Sequence, residues 1–159
     1  MKDMKEFFLK WYKYNAWANQ RVLSALKDQR VTHEKILTLM SHILTAQYLW
    51  LHRIKGLEPP PYELWRKYDL PQLIRMNEEI GNQWLTFVND TEMFDRELVY
   101  KNYQGLPFTN NVEQIMIHLV NHSTYHRGQI ALLLRENGFE PVNTDFITYD
   151  RVISGQLKD

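Results

Sequence analysis

The chain has 159 residues and a mass of 19.2 kDa, enough for one domain that buries roughly 70% of its unfolded surface without staples. Its 19 Lys and Arg balance 19 Asp and Glu, which argues against nucleic-acid binding driven by bulk charge. Cysteine is absent and aromatics reach 13%, so disulfides, thiolate metal sites and a cysteine nucleophile are excluded together, and disorder is too.

The start of the chain, Met1 to Glu6, carries two acids and no apolar stretch, so no secretory signal is read there. No run approaches the ~18 apolar residues of a membrane span. A soluble, cytoplasmic protein forming a single domain over residues 1–159 is expected.

From about Asp3 to Leu26, Phe7, Phe8, Trp11, Tyr14, Ala18, Val22 and Ala25 recur at threes and fours, the mark of an amphipathic helix. Thr32 is a candidate N-cap for a second helix through Ile36, Leu39, Ile43, Ala46, Leu49, Trp50 and Ile54. That helix should end at Gly56, ahead of the stiff Pro59-Pro60-Pro61 loop. Asp69 is placed to cap a third helix carrying Leu73, Met76, Ile80, Trp84, Phe87 and Val88, which Gly81 weakens without breaking.

Leu98 to Tyr100 and Leu106 to Phe108 flank a turn at 102–105 and predict a small hairpin. Asn110 followed by Glu113 suggests a capping box opening a fourth helix through Ile117, Val120, Ile130 and Leu134, which stops at Asn137-Gly138. A short fifth helix is predicted over Asp145 to Ile153. Four long helices and few strands imply an all-α four-helix bundle.

Six histidines decide the chemistry: His33, His42, His52, His118, His122 and His126. The last three follow one another at i, i+4 spacing, so each step turns only ~40° and all three share one face of the fourth helix. An i, i+4 imidazole pair can clamp a metal ion. His118 and His126 lie ~12 Å apart along the axis and cannot both reach one ion. The pair is therefore His118/His122 or His122/His126.

A third ligand must come from another helix. His42 sits among Leu39, Ile43 and Ala46 and should point inward. His33 is ~180° around the second helix from it, and His52 is ~80° off and about 15 Å away, so neither joins His42 at one ion. A lone histidine is ordinarily a hydrogen-bonded core residue, and His33 and His52 are read that way. The Trp and Tyr stripe of the first helix reads as core, and the segment Asn15 to Asn19 could line a pocket.

The segment His118-Leu119-Val120-Asn121-His122-Ser123-Thr124-Tyr125-His126-Arg127-Gly128-Gln129-Ile130 closely resembles the signature helix of the DinB family, the damage-inducible proteins of the DinB/YfiT-like metalloenzyme superfamily. Ser41 to Leu44 with Trp50 to Arg53 resembles that family's first-ligand helix. Tyr14 to Asn19 and Thr144 to Phe146 fit as well. The resemblance implies an up-down-down-up bundle holding one divalent metal, zinc or nickel. Carried onto this sequence, its ligands fall on His42, His122 and His126, with His118 as a neighbour.

Three imidazoles with an open fourth position form the catalytic type of zinc site. The superfamily uses related sites for bacillithiol-, mycothiol- or glutathione-dependent transfer. Here the sulfur must come from a cosubstrate, because the chain has no cysteine of its own. Thiol-dependent S-transfer onto an electrophile ranks first. Hydrolysis by metal-bound water ranks second, for want of a carboxylate on the histidine face. A stress protein that holds metal without turnover ranks third. A homodimer is expected, from the number of aromatics and the apolar Tyr62, Leu64 and Trp65 of the proline loop, the alternative being that this loop folds back over its own bundle.

Overall fold

The computed structural model describes residues 4–102 and 104–158. The proposed helix start at Asp3 and the turn residue Tyr103 lie outside that range. Five helices and one hairpin follow in the order α1 (Met4–Asp28), α2 (Glu34–Lys55), α3 (Leu70–Asp90), β1 (Glu97–Lys101), β2 (Pro107–Asn111), α4 (Val112–Glu136) and α5 (Phe146–Ile153).

Pairwise contacts give the helix directions. Tyr12 reaches the Met116 carbonyl while Arg127 reaches Asn15 and Asn19, so α1 and α4 run parallel. Lys5 donates to the Asn89 carbonyl and Tyr12 packs on Trp84, so α3 runs against α1. Ser41 meets Tyr68 and Tyr48 meets Met76, so α2 and α3 run parallel. The result is an up-down-down-up bundle. Because parallel neighbours cannot be joined by a tight turn, residues 56–69 must bring the chain back along the bundle.

The core fills from all four long helices. Phe8, Leu23 and Leu26 of α1 meet Met40, Ile43 and Leu44 of α2, Ile80 and Trp84 of α3 and Met116 and Leu119 of α4, all at 0–1% exposure. Each such side chain contributes roughly 1.5–3 kcal/mol by leaving water. A core of this extent is assembled from apolar side chains of all four long helices, apart from the histidines.

The helix ends show local chemistry. Gly56 closes α2 in the left-handed region, φ 64°, where a Cβ would be strained. Asp69 accepts from the Gln72 amide at 2.8 Å, as its position foretold. Two caps are shifted by one residue from the sequence reading. His33, not Thr32, is the extended N-cap residue of α2, and its side chain makes no capping bond. The capping box of α4 is Asn111 with Gln114, not Asn110 with Glu113. The hairpin carries pairing as far as Asn111, so the first residue free to turn into the helix is one later. The predicted hairpin is present, with β1 and β2 antiparallel and Tyr100 opposite Phe108. Among the described residues, no helix is long and apolar enough to cross a membrane.

Candidate metal centre

His42 lies midway along α2, on a polar seam with Ser41 and Thr45 that is buried among apolar neighbours. His122 and His126 lie one turn apart on the facing side of α4. Antiparallel packing of α2 on α4 brings the three rings together. Nε2 of His122 is 3.0 Å from Nε2 of His42 and 3.2 Å from Nε2 of His126. One ring nitrogen from each lies within 4.8 Å of the others, a group able to hold a metal ion.

The outer nitrogens set the tautomers. His42 Nδ1 is 3.0 Å from the Leu64 carbonyl, and His126 Nδ1 is 2.7 Å from Gln129 Oε1. The Leu64 carbonyl can only accept, so His42 Nδ1 carries the proton and its Nε2 turns a lone pair toward the centre; with the Gln129 amide oxygen as its partner, His126 takes the same tautomer. His122 Nδ1 is buried with no hydrogen-bond partner. The donor set fits a divalent ion: imidazoles bind one at ~2.0–2.1 Å, which spaces tetrahedral ligand nitrogens ~3.3 Å apart. Acceptors behind metal-binding histidines are what fixes ring orientation in such sites.

Electrostatics agree with neutral rings at His42 and His122. Burial, then the charges of His126, His42 and His118, push the His122 imidazole down to about 3. Burial also lowers His42, against a raising contribution from its bond to Leu64, and His126 lowers it further. A cation at the centre therefore competes with few protons at these two rings near neutrality.

The proline loop is part of this centre. It folds back over its own bundle: Tyr62 packs on Tyr48 at 4.7 Å, the Tyr68 amide donates to Ser41 Oγ, and Thr45 Oγ1 donates to the Leu64 carbonyl that also receives His42. Trp65, 59% exposed, stacks on His42 with centroids 3.6 Å apart and stands edge-on to His126.

His118 stands outside the group, beside His122 at 5.5 Å and edge-on to Trp50. His33 sits at the start of α2, and His52 Nδ1 is 2.6 Å from the Glu58 carbonyl. The sequence reading gives Leu64 and Trp65 only a place in an apolar loop available to a dimer, and gives Gln129 and Arg127 no role at the centre. Gln129 could have been found from its i, i+3 relation to His126. Leu64 acts through its backbone, so its side-chain identity carries no signal. Asn15 and Asn19, read as possible pocket residues, are instead buried and accept from Arg127 Nη1 at 2.8 Å each.

An all-α bundle with three imidazoles from two helices converging on one point defines a metal-site four-helix protein. The DinB family profile matches residues 1–154, and the chain belongs to the DinB family. It is 27% identical to "Protein DinB" of Bacillus subtilis (strain 168), over 92% of this chain and 95% of that protein. It is 23% identical to "Uncharacterized protein YizA" of the same organism, over 87% and 93% of the two chains.

Proposed function

We propose that the chain holds one divalent ion, zinc or nickel, on His42, His122 and His126 and uses it for thiol-dependent S-transfer. The observation that carries the metal-binding part is the inward Nε2 atoms of His42 and His126, oriented by the Leu64 carbonyl and Gln129; the transfer chemistry rests on the family resemblance of the sequence. Bound there, the ion supplies Lewis acidity, which makes a cosubstrate thiol nucleophilic at neutral pH. The chain's own part is positional. His42 and His126 are held in one tautomer, His122 bridges them, and Trp65 shields the His42 side from water. Among the described residues the metal-binding group contains no carboxylate, which ranks hydrolysis by metal-bound water below thiol transfer.

The Trp65 stack favours a second reading, a metal-holding protein without turnover, because it closes one side of the centre. A cytoplasmic homodimer completes the proposal; Tyr125 and Leu132, 65% and 55% exposed one above the other on α4, are apolar side chains that a second copy would cover. Elemental analysis of protein purified without added metal, followed by a bacillithiol conjugation screen with and without chelator, tests the enzyme reading. Chelator-sensitive conjugation supports transfer. Stoichiometric metal with no conjugation of any electrophile supports the non-catalytic reading.

A further inference from the structure

A groove opens on a different face of α4. Between α1, α4 and the segment leading into α5 is a groove of about 740 Å³, within the range of small-molecule pockets. Its walls are apolar and aromatic, with Phe7, Trp11, Val120 and Phe146 among them. Trp11 and Phe146 stack at 4.7 Å, which makes one wall rigid. None of the three clustered histidines lines it.

Arg127 lies at its floor, 2% exposed. Among the described residues no carboxylate pairs with this guanidinium. Its partners are neutral: Asn15 and Asn19 at 2.8 Å, Thr124 Oγ1 at 3.0 Å and Tyr14 at 3.4 Å. Nε has no partner at all. A buried charge without a counter-charge is costly, and its field is screened less through apolar walls than through water. The groove also holds Arg135 at its rim against a single acid, Asp145, so its lining carries a positive excess.

Thr124 connects that charge to the open space. Its Oγ1 accepts from Arg127 Nη2, so its own hydroxyl proton remains available to an acceptor in the groove. Beside it Gly128 leaves room, since a Cβ there would meet nothing within 4 Å.

We infer that this groove binds a small organic anion with an apolar body, its anionic head accepting from Thr124 Oγ1 over the Arg127 guanidinium and its body lying against Trp11 and Phe146. The apolar walls strengthen the head-group interaction by lowering the local polarity, and the neutral partners of Arg127 leave its charge for the ligand.

The test uses the full, metal-loaded chain with anilinonaphthalene sulfonate and its uncharged counterpart phenylnaphthylamine, followed by fluorescence and calorimetry. The expected result is one sulfonate per chain, binding at least tenfold tighter than the uncharged amine. Thr124→Val should weaken it about tenfold and Thr124→Ser should restore it. Gly128→Leu should abolish it while leaving metal content and melting temperature intact, which separates a filled groove from a misfolded chain. Equal binding of the two probes, or sulfonate binding that survives Gly128→Leu, overturns the proposal. So does absence of binding in a dimer that buries this face, because the occupant would then be a second copy.

Discussion

The indole of Trp65 lies flat on the imidazole of His42, ring centroids 3.6 Å apart and planes 8° from parallel. The indole is 59% exposed, so it covers the histidine while contributing little to the core. Trp65→Ala should therefore leave the melting temperature within about 2 °C, as surface changes usually do, and speed metal extraction by a chelator roughly tenfold. Stopped-flow chelation measures this, and an unchanged extraction rate would show that the indole does not guard the centre.

His122 contacts both other rings, so His122→Ala leaves two ligands and should remove stoichiometric metal. His118→Ala should retain it, because His118 lies outside the group. Gln129→Leu removes the acceptor behind His126 and should weaken metal binding by about 10–100-fold, the usual cost of losing such a partner. Competition with a fluorescent zinc indicator reads all three variants. Metal loss in His118→Ala with retention in His122→Ala would reverse the assignment.

The metal-free protein should lose stability in acid through His122. Its folded value is pushed down to about 3, whereas an unfolded histidine titrates near ~6.5. Between those values the unfolded chain binds more protons than the native one, so stability is fully present above ~6.5 and falls as the pH drops toward 3. Urea midpoints at several pH values, compared between wild type and His122→Ala, isolate this contribution. The variant should show the shallower decline, and identical slopes would exclude it.

Chelation should leave the bundle folded at 25 °C, because side chains such as Trp84, Ile80 and Leu23 at 0% exposure supply a core without the ion. Added zinc should raise the melting temperature by mass action, about 2.7 kcal/mol of stabilisation at a hundredfold excess over Kd. Circular dichroism follows both. Loss of the helical signal on chelation would make the ion structural.

Light scattering should give twice the 19.2 kDa chain mass at micromolar concentration. A single-chain mass throughout would refute the homodimer. The histidine cluster would survive that result, because all three rings come from one chain.

The helices were legible in the sequence because period and punctuation are local: apolar residues at threes and fours, Asp69 before α3, Gly56 after α2. The i, i+4 spacing likewise placed His118, His122 and His126 on one face, and the position of His42 among apolar neighbours turned it inward. Spacing alone could not choose between His118 and His126. A helix repeats itself every turn, and only the height at which α2 crosses α4 selects the turn that faces His42. The structure sets that height, bringing His122 and His126 to His42 and leaving His118 beside Trp50. The tautomers of His42 and His126 also needed the tertiary structure, since one depends on a loop carbonyl 22 residues away. The same holds for Arg127, whose partners Asn15 and Asn19 lie more than a hundred residues earlier. Local chemistry fixed which residues stand on which face; only long-range packing decided which faces meet.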